Sequence, residues 1–228
     1  MRLLIVAATE LELAPLVTRL TPPSHVHASE PLRAFSHGSH QVDVLTTGVG
    51  MVATATWCAR VLTRQPYDLA VNLGVCGSFN PAHPPGMVVN VVTDCIPELG
   101  AEDDERFLTV HQLGLLGVDE PPFIGGRLVN PEAPTNRVIA GLRAVNGITV
   151  NTVHGNARSI ARVVEHFKPD VESMEGAAFM HACLVSGARF AQVRAVSNMV
   201  EKRNRAAWKM GEAVAALTDV GLRLIEQG

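Results

Sequence analysis

Apolar positions in this chain fall into two kinds of block, and the two kinds alternate. Leu3-Leu4-Ile5-Val6-Ala7-Ala8 is an unbroken apolar run of strand length, the pattern of a strand covered on both faces. Thr9 then stands where a helix cap belongs, and Leu11, Leu13, Leu16 and Val17 recur at helical spacing. After a Pro- and His-rich connection over 22–31, the segments 33–37 and 41–46 alternate about His37-Gly38-Ser39-His40, the pattern of a hairpin. A helix is predicted from Gly48-Val49-Gly50 to about Arg64. Leu69 to Leu73 is a second buried strand, followed by Gly74-Val75-Cys76-Gly77-Ser78, whose glycines suit a tight turn or close approach of backbone to a ligand. Val88 to Thr93 is a third.

From 94 to 136 the chain is rich in Pro, Gly and acids and reads as loops with short elements, an irregular stretch long enough to cover a site. Order returns with a strand over Ile148–Val153 and a helix over Ser159–Phe167, broken by Lys168-Pro169-Asp170. A small-residue helix over Met174–Val185, a buried strand over Phe190–Ser197 and an amphipathic helix over Arg205–Glu226 complete the chain. Strands alternating with helices predict an α/β architecture, with ligands at the strands' C-terminal ends. Those ends are Thr9–Glu12, Gly74–Ser78, Val150–Asn156 and Arg194–Asn198. Neither a linker nor a repeat interrupts the pattern, so a single domain is expected over 1–228.

Composition narrows the partners. A net charge of −3 and 4% aromatic residues leave neither a basic footprint nor stacking platforms, so no nucleic acid is expected. Cys58, Cys76, Cys95 and Cys183 form no CxxC pair and lie in apolar runs, as buried thiols do in a reducing compartment. The opening apolar run meets Glu10 and Glu12 too soon for an export signal, and no run reaches membrane-spanning length. The expectation is a cytoplasmic protein with no membrane partner.

Gly48-Val49-Gly50-Met51-Val52-Ala53 fits the GxGxxA dinucleotide fingerprint. The acid that should close the next strand is missing, because Asp68 stands at the start of Leu69-Ala70-Val71-Asn72-Leu73. No nicotinamide cofactor is expected. His25-x-His27 and His37-x-x-His40 have metal-ligand spacing, but no carboxylate or Cys nearby completes a set, and no metal is expected.

Glu172-Ser173-Met174-Glu175-Gly176-Ala177-Ala178 places two carboxylates three apart at a predicted helix start. Complementing the helix dipole accounts for Glu172. It leaves Glu175, a lone acid heading a Gly-Ala-Ala face, evenly balanced between structure and function. Arg194 interrupts the otherwise apolar strand that ends in Ser197-Asn198, and a buried charge needs a partner. A structural salt bridge and a site group both answer that need.

Thr9-Glu10-Leu11-Glu12, the Gly-x-Cys-Gly run at 74–77, Met174-Glu175 and Arg194-x-x-Ser197-Asn198 together resemble the nucleoside phosphorylase and nucleosidase family, over nearly the whole chain. The resemblance implies a three-layer sandwich, a central mixed β-sheet flanked by helices. It implies a cofactor-free enzyme acting on a small-molecule nucleoside, assembled as a homo-oligomer, dimer or higher. Glu12 matches the carboxylate that deprotonates the attacking water, and Glu175 the one that takes the ribose hydroxyls, with Met174 against the sugar. Arg194 matches a group that holds the water or orients a carboxylate. Cys76, Gly77 and Ser197 join the substrate-binding set, and Val153 and His154 fall where the family builds its purine pocket.

Two departures from the phosphorylases matter. Where they hold phosphate with Arg and Ser, this chain has Asn72 and Val75, which points to water as nucleophile. Where the adenine-specific nucleosidases have Asp, this chain has Asn198. Hypoxanthine presents two acceptors, N7 and O6, to which an amide NH₂ can donate and an ionised carboxylate cannot. The stretches 97–103, 150–156, 172–177 and 197–205 narrow the resemblance to members that remove hypoxanthine from a nucleoside with a carboxyphenyl-ketone tail, on the alternative menaquinone route. Lys202, Arg203, Arg205 and Arg127 are the cations available for that tail. Rival readings are a purine nucleoside phosphorylase, an adenosylhomocysteine or methylthioadenosine nucleosidase, and a non-catalytic nucleoside-binding protein.

Overall fold

A computed structural model describes residues 1–22, 31–132 and 136–227. The pair His25 and His27 lies outside the described residues. In chain order the elements are β1 (Arg2–Ala7), α1 (Glu10–Val17), β2 (Leu32–His37), β3 (His40–Thr46), α2 (Met51–Leu62), β4 (Leu69–Ser78), β5 (Val88–Asp94), β6 (Gly100–Asp103), β7 (Arg106–Thr109), β8 (Phe123–Ile124) and β9 (Arg127–Val129). There follow α3 (Arg137–Ala140), β10 (Arg143–Thr149), α4 (Ala157–Phe167), β11 (Val171–Ser173), α5 (Gly176–Ser186), β12 (Phe190–Met199), a 3₁₀ turn at Arg205–Ala207 and α6 (Met210–Glu226).

The central sheet runs β2-β3-β1-β4-β11-β10-β5-β9-β8, with β12 paired to both β4 and β5. It is mixed. β1 lies parallel to β3 and β4, and β12 parallel to β4, whereas β2/β3, β11/β4 and β12/β5 are antiparallel.

The two faces follow from the unbroken apolar run of β1. Leu3, Ile5 and Ala7 pack with Leu13 and Leu16 of α1 and Leu217, Val220 and Leu224 of α6. Leu4 and Val6 point the other way, to Cys58 and Val61 of α2 and Phe179 and Met180 of α5. Each fully buried Leu or Ile here contributes roughly 1.5–3 kcal/mol, so both helix layers are anchored by one six-residue strand. Helix layers on both faces make the three-layer sandwich. Ile148, Val150 and Val163 form a smaller cluster under α4, with Phe79 and Phe167 packed against it.

The final helix begins at Met210, after a 3₁₀ turn, rather than at Arg205, and three further departures from the sequence pattern bear on the site. β4 does not end at Leu73 but runs through both glycines to Ser78, because β12 pairs along its whole length and β11 joins at Gly77 and Ser78. β10 begins at Arg143 and stops at Thr149, earlier than its apolar run suggests, and pairs with β5 through its polar first half. α5 starts at Gly176, so Glu172 lies on β11 and Glu175 is the helix cap. Within 94–136 the short elements are two hairpins, β6/β7 and β8/β9. Among the described residues, no helix is long and apolar enough to cross a membrane.

Candidate active site

Three strand ends converge where the polar groups of the sandwich collect. Glu12 follows β1 in the first turn of α1, and its carboxylate completes a capping box. Its Oε2 accepts from the backbone N–H and the hydroxyl of Thr9 at 2.9 and 2.8 Å. Its Oε1 reaches β4 and accepts from the N–H of Val75 at 3.0 Å. The local cap and the strand mouth thereby hold one carboxylate, which is only 6% exposed.

Gly74 precedes Val75, and its missing side chain is what the site is built around. A Cβ at Gly74 would stand 2.2 Å from Arg194 Nη1 and 3.1 Å from Glu12 Oε1. The glycine is present for space, and the guanidinium fills that space beside Glu12. Gly74→Ala is therefore expected to displace Arg194 and to destabilise the chain by about 1–3 kcal/mol through overpacking. Urea unfolding of the variant checks this.

Arg194 is 1% exposed. It donates through Nε to Gln192 Oε1 at 3.3 Å and through Nη2 to Asn72 Oδ1. Its Nη1 lies 3.7 Å from Glu175 Oε2. Asn72 in turn donates to the carbonyl of Val6 at 3.0 Å, so its amide has a partner on each side and serves the sheet. Glu175 Oε1 accepts from the N–H of Gly50 at 3.0 Å. Gly50 has φ +95°, which only glycine adopts without strain. The glycine pair that imitates a dinucleotide fingerprint thus offers its N–H to a side-chain carboxylate. Met174, half-buried, directly precedes Glu175.

A second group surrounds Gly77. Glu172 on β11 and Asn198 on β12 both pair with Gly77. A Cβ there would come within 3.4 Å of Asn198 Nδ2 and 3.5 Å of Glu172 Cγ. Glu172 accepts from the N–H of His154 at 3.1 Å, and its Oε2 lies 2.6 Å from the Nδ1 of the same residue. Complementing a helix dipole is therefore not its role, because its partner is His154 and it is not on a helix. Gly77, Val153, His154, Glu172, Asn198 and Trp208 line one narrow pocket. A separate cavity of about 600 Å³ opens between the β6/β7 hairpin and α4, shares His154 with that pocket, and touches none of Glu12, Glu175 and Arg194.

Ser197 is the extra residue of a bulge, since the β12 register shifts between Val196 and Asn198 against β4. Its hydroxyl lies 2.8 Å from Asn198 Oδ1 and 3.1 Å from the carbonyl of Cys76. Asn198 Nδ2 donates to the carbonyl of Met199 at 2.9 Å, which fixes the amide with its NH₂ on that side. One amide hydrogen remains for a ligand. Cys76 turns its thiol into an apolar cluster with Val89, Val91, Val145, Val171 and Val196, where burial pushes it up to about 12. It is a neutral packing group there.

Of the four cations considered for a tail, Arg127 donates to Gly147 O at 2.8 Å and Thr93 Oγ1 at 3.2 Å and ties the sheet together. Arg203 lines the Gly77 pocket, with its guanidinium over the Trp208 ring at 5.8 Å. Lys202 and Arg205 are exposed.

Sequence reasoning passed over Asp94, the last residue of β5, which is 1% exposed. Its signal was available, since an acid ends an apolar strand in a chain that buries an Arg. Burial pushes its carboxyl up to about 7, although Thr149, Arg194 and Arg127 pull the other way. The unfolded chain ionises it at the ordinary carboxylate value near 4. Its stabilising contribution is therefore complete below about pH 4 and is lost as pH rises through about 7. Denaturant unfolding from pH 5 to 8 is expected to show the native chain losing stability relative to Asp94→Asn.

Comparison with known proteins agrees with this architecture. The profile of the Phosphorylase superfamily matches residues 2–226. The chain is 36% identical to the futalosine hydrolase of Streptomyces coelicolor, over 96% of this chain and 93% of that protein. It is 29% identical to the futalosine hydrolase of Thermus thermophilus, over 80% of each. The crystal structure of the Streptococcus pneumoniae MTA/SAH nucleosidase with 8-aminoadenine superposes with a TM-score of 0.83 at 20% identity, covering 100% of both chains. The futalosine hydrolase of Helicobacter pylori superposes with a TM-score of 0.80 at 12% identity, over 100% of this chain and 98% of that one. The two superpositions speak for the fold and the two sequence relatives for the branch within it: the chain belongs to the phosphorylase superfamily and, inside it, to the futalosine hydrolase family.

Proposed function

We propose that the chain hydrolyses the N-glycosidic bond of futalosine, releasing hypoxanthine and leaving dehypoxanthine futalosine, a step of menaquinone biosynthesis by the futalosine route. The observation that carries this reading is the meeting of Glu12 and Arg194 at Gly74, with Glu175 paired to that Arg194 and with an uncharged, fully engaged Asn72 and a hydroxyl-free Val75 where phosphate would need an anion site. The relatives at 36% and 29% identity support it.

In this mechanism Glu12 takes a proton from water, whose oxygen forms the new bond to C1′ of the ribose. The C1′–N bond breaks, its electron pair leaves with the purine, and the purine anion takes a proton from solvent to become hypoxanthine. Glu175 accepts from the ribose hydroxyls, and its charge favours the cationic ring as that bond stretches. Met174 packs against the sugar. The N–H of Val75 orients Glu12, a task that needs no particular side chain at 75. Asn198 donates to the purine edge, with Ser197 setting its amide, and Gly77, Val153 and His154 border the base, while Cys76 contributes its carbonyl. Arg203, on the wall of that pocket, is the preferred partner for the carboxylate tail. These steps call on no cofactor.

The same reading takes 1–228 as one domain of a cytoplasmic homo-oligomer. Exposed Val49 and Val52 at the start of α2, and Val185 on α5, offer apolar surface to a second copy, and light scattering measures the assembly. The functional test is hypoxanthine release from futalosine, inosine and aminofutalosine, with and without phosphate. Phosphate-independent cleavage of futalosine is the expected result. Cleavage of inosine only when phosphate is added makes the chain a phosphorylase instead.

A further inference from the structure

Two hydrogen-bond donors beneath the site cannot reverse their roles: the Nε–H of Arg194 and the backbone N–H of Ala177. Arg194 Nε donates to Gln192 Oε1 at 3.3 Å, which turns the Gln192 NH₂ away from it to donate to Asp94 Oδ2 at 3.0 Å. Ala177 N donates to Thr149 Oγ1 at 2.7 Å, which leaves the Thr149 proton for Asp94 Oδ1 at 3.0 Å. In the ionised form both oxygens of this buried carboxylate are therefore acceptors, and each ends a short relay.

The two relays lead to the same residue. Arg194 is ion-paired with Glu175, and Ala177 lies in the first turn of the helix that Glu175 caps. Gly176 between them leaves no slack, since a Cβ there would stand 1.9 Å from Gln192 Oε1 and 2.4 Å from Asp94 Oδ2. A buried carboxylate is an expensive way to fill a core, and apolar groups of the same volume are often as stable or more so. What it supplies, and apolar groups do not, is a fixed donor–acceptor sense along both relays.

We infer that Asp94 is a positioning residue for Glu175: by accepting at both oxygens it orients Gln192 and Thr149, and through them holds Arg194 and the start of α5 so that the Glu175 carboxylate stands in its ribose-binding place. This rests on the ribose-binding role proposed above for Glu175. Asp94 touches no substrate atom in this arrangement.

The test is the isosteric Asp94→Asn, which can accept on one relay and opposes donor to donor on the other. Turnover of futalosine is expected to fall roughly 10- to 100-fold, as when a reacting group is misplaced by about 1 Å, with KM changed less than about 3-fold because the purine pocket is untouched and the Glu175 contacts to the ribose strengthen mainly in the transition state. Gln192→Glu added to Asp94→Asn gives Arg194 and the introduced amide an acceptor again, and restores kcat to within about 5-fold of the native chain. Native turnover in the single variant, or a double variant as slow as the single one, overturns the inference. Crystal structures of the native chain and Asp94→Asn give a readout independent of activity, the Arg194–Glu175 approach. If the native chain cleaves no nucleoside, the functional reading fails by itself. A displaced ion pair in the variant then still supports the positioning role, and an unmoved one overturns it. Where Asp94→Asn does not fold, Thr149→Val severs one relay and carries the same comparison of kcat with KM.

Discussion

Glu12→Gln lowers turnover of the nucleoside by ~10²-fold or more, the lower bound of general-base assistance, and leaves nucleoside affinity close to that of the native chain. Glu12 accepts three hydrogen bonds, two at Oε2 from Thr9 and one at Oε1 from Val75 N. A carboxylate in this setting stays oriented and keeps lone pairs for a water. The amide of Gln can satisfy one end of that arrangement but turns an NH₂ toward donors at the other, and it cannot accept the water's proton. Loss of the capping box adds about 0.5–2 kcal/mol of instability, which thermal unfolding measures separately. Single-turnover kinetics beside equilibrium binding distinguish the two effects. Unchanged turnover in a folded variant removes Glu12 from the mechanism.

Asn198→Asp turns the base preference from hypoxanthine toward adenine nucleosides. The Asn198 amide is held by the Ser197 hydroxyl on its oxygen and by the Met199 carbonyl on its NH₂. In the variant Ser197 still donates to one carboxyl oxygen, while the other faces the Met199 carbonyl and is favoured in its protonated form. With its single proton turned from the Met199 carbonyl to N7, the carboxyl can still accept from the N6 amino group of adenine, and any ionised fraction repels O6 of hypoxanthine. One mismatched edge contact is worth about 1–3 kcal/mol, so the ratio of kcat/KM for the two bases should swing roughly 10- to 100-fold. Competition between paired inosine- and adenosine-type substrates reads the swing directly. An equal loss on both bases means that Asn198 does not read the purine edge.

The layers were legible because runs such as Leu3–Ala8 admit one environment only. The three departures that bear on the site have one cause in common: pairing between distant segments overrides local pattern. Gly74 and Gly77 resemble turn residues, yet each is a gap in a continuous strand, one for the Arg194 side chain and one beside Asn198 and Glu172. Such gaps exist only once β12 and β11 have docked. Glu175 and Arg194 stood out as charges in apolar surroundings and Glu12 through the family resemblance, and Arg194 links the two carboxylates, standing beside Glu12 at Gly74 and 3.7 Å from Glu175. Asp94 and Gln192 were missed and Glu172 was assigned to a helix dipole because the partners that explain them lie 55 or 98, 98 and 18 residues away, with no local spacing to show it. His154 gained its meaning in the same way, from Glu172.

The bulge at Ser197 makes length as specific as chemistry. Up to Val196 each residue of β12 faces its counterpart on β4 in step, and the one-residue excess then sets Asn198, rather than Ser197, opposite Gly77. Removing Ser197 would restore the step with Asn198 still opposite Gly77 but without the hydroxyl that holds its amide oxygen, whereas adding a residue would carry the amide out of line with Glu172 and Gly77 while Arg194 stayed where it is. Drift in this stretch can therefore proceed by replacement but not by insertion or deletion. A change of base preference should be reachable through one codon, in a chain whose spacing from Arg194 onward is frozen.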